Sequence, residues 1–439
     1  MFSINDYLDV VPLPVLLVAP ILLAMAFFFC PSRLRLTTAL IIFPPFLVIG
    51  NLPGLGAIAL GAKAMGFAMI LAVGVSAMLT PGEKRRLSPL CYLYLPLALV
   101  GPIFILTTDD NLIPIVNSIQ WICMVFTAIM VSRTIVDAKS LILTLRSLAI
   151  GFLFVIPILF SAILTGKWSY TGHSRFEPYG ASSVQTAVIF TIAGGLGFYF
   201  AFRDRLLFMR PIWIGLVGAS VGMALLSGTR SVLVMLMGVC LPVGLYSMRR
   251  PVLAIPMVMI VLLGVGFVLS RVESNPFNRY STVETARGTQ ALLYIRESIA
   301  ERPLTGLLGT SGMNADVDES LGFHTHNAYL KVAYTGGLVL LIPYLFLAGL
   351  SFLSAWYVWK NRRLLDADPL LMSVLVMFMT MIYAHGMVNH MIYLATHTWA
   401  FLHLVLSMLF MTMAGEILRF KREHTETASM MLQMPRATA

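Results

Sequence analysis

What most restricts this chain is a succession of long apolar runs, each of about 17–25 residues, the length an α-helix needs to cross a hydrocarbon core of roughly 30 Å. They fall at 10–30, 36–52, 57–80, 88–106, 112–131, 141–165, 183–202, 210–227, 230–247, 251–270, 335–359, 370–390 and 396–414. In lipid, backbone N–H and C=O groups must be satisfied without water, which leaves helices and closed barrels as spanning structures. Barrel strands are about ten residues long and alternate in polarity; these runs do neither. Only 11% of the 439 residues are charged, against roughly 25% in a soluble domain. The expected fold is therefore all-α, a polytopic transmembrane helix bundle of 12–13 spans. A cytosolic enzyme, a secreted disulfide scaffold and a disordered chain are excluded together. Cys30, Cys91, Cys123 and Cys240 all lie in apolar runs without metal-ligand spacing, so they read as packing residues.

Net charge is +10, and its distribution decides what that means. Alternate connections are strongly basic: Arg33 and Arg35; Lys84 to Arg86; Arg133, Lys139 and Arg146; Arg203, Arg205 and Arg210; Arg249 and Arg250; Lys360, Arg362 and Arg363; and the tail from Arg419 onward. Together they hold 20 of the 30 basic residues but only 8 of the 20 acidic ones. The positive-inside rule makes this set cytoplasmic. The basic balance thus reports topology, and no nucleic-acid partner is implied. The N-terminus is expected outside and the C-terminus inside. The first 30 residues lack a basic N-terminal region and a small-residue cleavage site, so they read as a retained span.

Four segments follow: 1–270, about ten spans with short loops; 271–334, the longest polar interval, on the non-cytoplasmic side; 335–414, the last spans; and 415–439, a cytoplasmic tail expected to be disordered. Within 271–334, residues 284–302 read as a helix ending before Pro303, with Leu292, Ile295 and Ile299 on one apolar face. Such a helix between two spans belongs at the membrane interface. A Gly-rich stretch, an acidic patch and His324-Thr325-His326-Asn327 follow it.

Arg175 (in the external loop 166–182), Arg230, Arg287, His324 and His326 all reach this one face by a topology derived from charge alone. Charges at or inside a membrane are costly and are functional candidates by default. Arginine's planar fork grips phosphate oxygens and stays charged when desolvated. Histidine titrates near neutrality and can take a proton from a positioned hydroxyl. An Arg cluster beside such a base suits group transfer from a phosphorylated donor. Arg271, Arg279 and Arg302 read instead as headgroup anchors, and two His are too few ligands for a zinc site.

At these residues the sequence resembles the O-antigen ligase and polymerase superfamily of membrane glycosyltransferases. Arg287 opens an external helix; Pro303-Leu304-Thr305-Gly306 follows; His326-Asn327-Ala328-Tyr329-Leu330 precedes the next span; and Gly337 completes the ligase's His-Asn, nine residues, Gly pattern. Ser227-Gly228-Thr229-Arg230 is similar to the family's other arginine turn. The pattern departs at Leu340, where Gly, Thr or Tyr is usual.

The resemblance implies a ligase in the bacterial inner membrane, acting in lipopolysaccharide biosynthesis with its active site facing the periplasm. Its donor would be a glycan on undecaprenyl pyrophosphate, and its acceptor a sugar hydroxyl of the lipid A core. Neither metal nor other cofactor is implied. Arg230 and Arg287 would stabilise charge on the pyrophosphate, with Arg175, Arg296 and Asn327 binding substrate and His326, or else His324, as general base. Direct displacement would invert the anomeric centre, because retention calls for a pair of close carboxylates and none is evident. An O-antigen polymerase, a transferase of glycans to protein, and, from another class, a transporter of lipid-linked polysaccharide remain as alternatives.

Overall fold

The computed structural model describes residues 29–105, 112–171, 175–181, 183–227, 229–248, 295–307, 327–365, 367–387 and 398–433, with 259, 262, 266 and 292. The helices are α1 (Ser32–Ile49), α2 (Ala57–Ala64), α3 (Gly66–Leu79), α4 (Tyr94–Ile105), α5 (Leu112–Thr134), α6 (Ala138–Leu164), α7 (Ser183–Arg203), α8 (Met209–Leu226), α9 (Arg230–Ser247), α10 (Ala328–Lys360), α11 (Pro369–Gly386) and α12 (Thr398–Gln433). Each apolar run that falls on described residues coincides with a helix. The runs 10–30 and 251–270 lie almost wholly outside those residues.

Among the described residues, α1, α6, α8, α10, α11 and α12 are long and apolar enough to cross a membrane, and the bent pair α2–α3 would add another span. The surface they present is that of a protein solvated by lipid. On α9 the outward positions Val234, Met237, Leu241 and Leu245 are all exposed, a stripe at helical spacing with no polar member. On α10 the same holds for Ile342, Phe346, Leu353 and Trp356. A soluble helix would show charge there.

The centre belongs to α12, which has 83% of its spanning residues inside the protein. It packs against α5, α7, α10 and α11. Lipid tails are as apolar as leucine, so helices in a membrane associate through close packing and polar contacts instead of the hydrophobic effect. Gly195 of α7 shows this: a Cβ there would stand 2.7 Å from the Phe378 ring of α11 and would also collide with Val239 of α9. Cys91 is buried against the Met408 carbonyl of α12.

Three ion pairs test the charge-derived topology. Arg85 pairs with Glu416, Arg146 with Asp204 (3.1 Å) and Arg203 with Asp368 (3.0 Å). In each case both partners come from the strongly basic set of connections, and they lie as far as 331 positions apart in the chain. The connections that hold Arg85, Arg146, Arg203 and Asp368 and the start of the tail therefore lie at one end of the bundle. The opposite end is tied together in the same way, with Gly54 N–H donating to the Tyr179 carbonyl at 2.7 Å.

Helix starts at the basic end are well specified. Asp137 caps α6, accepting from Ser140 N–H at 2.8 Å in a reciprocal capping box, and Asp368 caps α11 ahead of Pro369. Hydrogen bonds from Ser140 hold the Asp137 carboxyl below the usual carboxylate range. A depressed pKa contributes stability above the unfolded value and loses it as pH falls through the lowered folded value. Asp137→Ala is therefore expected to cost about 0.5–2 kcal/mol at neutral pH. The deficit should shrink on acidification below the ordinary carboxylate range; a deficit independent of pH in thermal melts would contradict the role of the charge.

Three local expectations change. The tail read as disordered from 415 continues α12 to Gln433. It is built of good helix formers, and its start is fastened by Glu416 to Arg85 and by Lys421 Nζ to Asn361 Oδ1 at 2.6 Å. Most of the helix expected over 284–302, up to 294, lies outside the described residues, and its described part is a wide turn at Ile295–Ile299, closed by Ala300 N–H to the Ile295 carbonyl. Pro303 restricts the residue before it and ends the helical path. Leu292 and Ile295 of its apolar face are exposed. Finally, the external loop 166–182 carries a short hairpin, β1 (Trp168–Thr171) against antiparallel β2 (Arg175–Pro178). A small hairpin of this kind was not expected, although its alternating residues carry the signal.

Candidate functional site

The best-defined part of the end opposite the basic face is the start of α10. Asn327 sits in extended backbone there, and its Oδ1 accepts from the N–H groups of Tyr329 (2.9 Å) and Leu330 (3.0 Å). These are orphan donors of a helix N-terminus. Its Nδ2 donates to the Met387 carbonyl at 2.9 Å, just past the end of α11. One side chain thus caps two helices. A turn earlier on α11, the Tyr383 carbonyl accepts from the Tyr329 hydroxyl at 3.0 Å. Sequence reading gave Asn327 a substrate-binding role; in the structure its amide holds α10 to α11.

Ten residues further on, α10 is broken. Gly337 has φ 55° and ψ −155°, a conformation essentially closed to other residues. The break leaves helix donors and acceptors without their usual partners, and the segment 303–307 supplies replacements. Leu338 N–H donates to the Pro303 carbonyl (2.8 Å) and Val339 N–H to the Leu304 carbonyl (3.1 Å). In return Leu307 N–H donates to the carbonyls of Tyr334 and Thr335, both at 3.1 Å. Gly306 also has positive φ, 57°, and a Cβ on it would stand 2.5 Å from the Tyr334 carbonyl oxygen. Irregular backbone at a membrane is tolerated only where protein satisfies it, and here two stretches 30 residues apart satisfy each other. Leu340, where the family pattern departs, is buried and lies over Gly336, leaving no room for a Cβ there.

The other sequence-derived residues are distributed as follows. Arg230 is the first residue of α9 and Arg175 the first of β2, both at the same end of the bundle as Asn327; their side chains lie outside the described part. Arg287, His324 and His326 lie outside the described residues altogether. Arg296 is exposed on the wide turn. Among the described residues no three metal-ligating side chains come together. At the base of the hairpin, the Tyr179 hydroxyl bonds the Ser161 hydroxyl at 2.7 Å. Hydrogen bonds from Ser161 and Thr165 hold that phenol below its usual value.

The structure adds a polar layer that sequence reading missed. His403 of α12 is buried, its Nε2 3.0 Å from the Tyr383 hydroxyl of α11. Below them the Tyr94 hydroxyl of α4 meets Ser351 of α10 at 3.2 Å. His385 is buried as well. The signal was present, since His385, His390, His397 and His403 all fall inside apolar runs; imidazoles in a membrane interior are functional candidates by default.

Comparison of the chain with protein-family models, with curated proteins and with solved structures returns no match.

Proposed function

We propose that this protein is an O-antigen ligase-type glycosyltransferase of the bacterial inner membrane. On this reading the chain has 12–13 spans, the basic end faces the cytoplasm, and 271–334 forms a periplasmic loop domain. It moves a glycan from undecaprenyl pyrophosphate to a sugar hydroxyl of the lipid A core. The observation that carries the proposal is the interlock at the start of α10. Pro303 to Gly306, Asn327 and Gly337, elements of the resemblance that fall on described residues, form one hydrogen-bonded unit at the bundle end that also holds Arg175 and Arg230.

The chemistry suits those residues. The acceptor oxygen attacks the anomeric carbon as the bond to the pyrophosphate oxygen breaks, so configuration inverts. Pyrophosphate is already a good leaving group and needs its charge stabilised more than it needs a proton, which Arg230 and Arg287 supply. Arg175 and Arg296 hold the donor. The sugar hydroxyl is a poor nucleophile, and His326 takes its proton, with His324 as the alternative base. Neither metal nor nucleotide takes part in this reaction.

The test uses a host lacking the protein, complemented with wild type or His326→Ala. Wild type should give ladder-bearing lipid A core. His326→Ala should give bare core and accumulated lipid-linked polymer, with transfer down about 10²–10⁴-fold. Core carrying a single repeat in the deleted host would indicate a polymerase, and glycan missing from protein would indicate a protein transferase. An unchanged ladder with His326→Ala would remove His326 as the base. A second reading, transport of lipid-linked polysaccharide, draws on the buried polar layer of Tyr94, Ser351, Tyr383 and His403. It requires the lipid-linked polymer of the deleted host to remain on the cytoplasmic side.

A further inference from the structure

The break at Gly337 has a mechanical consequence. Residues 328–336 are detached from the membrane-crossing part of α10, so their orientation comes from what they dock on. On one side that is the segment 303–307. On the other it is the end of α11, held through Asn327 to Met387 and Tyr329 to Tyr383. Both acceptors are carbonyls of the last helical turn or its cap, where intrahelical donors run out.

Tyr383 also reaches the opposite way. Its hydroxyl lies 3.0 Å from Nε2 of His403, the two rings nearly perpendicular at 5.3 Å between centroids. Burying an imidazole and a phenol is costly unless each satisfies the other. Apolar packing between α11 and α12 tolerates small rotations; one directed hydrogen bond does not. His403 therefore fixes the rotation of the last turn of α11, and that turn fixes Tyr329 and Asn327. The linkage is mechanical and does not conduct protons, because the Tyr329 hydroxyl meets Tyr383 at its backbone oxygen and not at its phenol.

We infer that His403 and Tyr383 are positioning residues for the turn that leads into α10. On the glycosyl-transfer reading above, the general base His326 is the residue immediately before that turn in the chain.

The test uses full-length protein in lipid nanodiscs, with wild type, Tyr383→Phe, His403→Leu, the double variant and His403→Gln. The first readout is amide hydrogen exchange at Tyr329 and Leu330, the groups that Asn327 caps. Exchange should accelerate in Tyr383→Phe and His403→Leu, and the double variant should go no further than either alone. His403→Gln, which keeps a hydrogen-bonding group near the Nε2 position, should restore protection. The second readout is transfer from undecaprenyl-pyrophosphate-linked glycan to lipid A core. There kcat should fall about 10–100-fold with KM for the donor unchanged, as for a displaced reacting group, and His403→Gln should recover most of it. Unchanged exchange in Tyr383→Phe, or losses that multiply in the double variant, would overturn the inference. Equal loss of kcat, KM and melting temperature would also overturn it, by making the pair merely structural. If exchange behaves as expected and wild type shows no transfer, the inference about the turn stands and the glycosyl-transfer reading falls.

Discussion

Gly337→Ala is expected to leave little folded protein in the membrane, and the fraction that can be purified should melt well below wild type. Two costs combine at this residue. Its backbone, at φ 55° and ψ −155°, lies where a side chain costs about 1–3 kcal/mol. A Cβ would also stand 2.6 Å from the Thr305 N–H nitrogen and collide with the Leu304 carbonyl. Those are backbone atoms, so no rotamer change relieves the clash. To make room, the segment 303–307 has to withdraw, and its bonds to Leu338, Val339, Tyr334 and Thr335 go with it. Gly306→Ala should produce the same defect, since it pushes on the same contact from the other side. The combination should be far less than additive, because either change already separates the two stretches. Wild-type melting of Gly337→Ala would mean that the break in α10 is not a feature of the folded protein. Gly61→Ala is a useful control: a Cβ there meets open space.

A second large effect is expected at the basic end. Asp204 is buried, and its carboxylate accepts from the Trp213 indole at 2.7 Å, from the Leu206 N–H at 3.0 Å and from Arg146 at 3.1 Å. It thereby joins the end of α7 to α6 and α8. Asp204→Ala strands the buried Trp213 indole N–H, at about 1–3 kcal/mol for an unsatisfied buried donor, and also releases the Arg146 guanidinium, whose side chain is 26% exposed. Arg146→Ala should cost less, because Asp204 keeps its indole and backbone donors. The pair should show positive coupling in a double-mutant cycle. Thermal melts of the four proteins in one detergent would measure it. Equal destabilisation by Asp204→Ala and Arg146→Ala would show that the ion pair, and not the indole bond, carries the energy. By contrast the pair of Asp368 with Arg203, whose side chain is 37% exposed, is screened by water and should contribute under about 1 kcal/mol.

Much of this architecture is legible in the sequence because its causes are local. Whether a stretch of twenty residues crosses a membrane depends on its own hydropathy, which is why the runs from 36 to 247 and from 335 to 414 each coincide with a helix. The sidedness of the connections depends on their Arg and Lys content, and the ion pairs of Arg85, Arg146 and Arg203 bear out the grouping. Boundaries were weaker where the chain bonds elsewhere. The tail stays helical because Glu416 and Lys421 find partners on other segments. From Ile295 to Pro303 the described part of the amphipathic stretch is not a regular helix, and the chain beyond it turns to meet α10.

The candidate site divides along the same line. Pro303, Gly306, Asn327 and Gly337 are visible as a spaced pattern, and the sequence alone carries the inference that they matter together. It gives Asn327 a ligand to bind, and the fold adds two helix ends for it to cap. It does not say what Tyr329, Tyr383 and His403 bond to. The reason is that each role is completed by a partner far away in the chain: Met387 for Asn327, Leu304 for Gly337, Tyr383 for His403. Hydropathy and charge are properties of a residue and its neighbours, so the sequence determines which segments enter the membrane and which end is basic. A hydrogen bond needs two groups brought within about 3 Å at a set angle, and only the packed helices decide which ones meet.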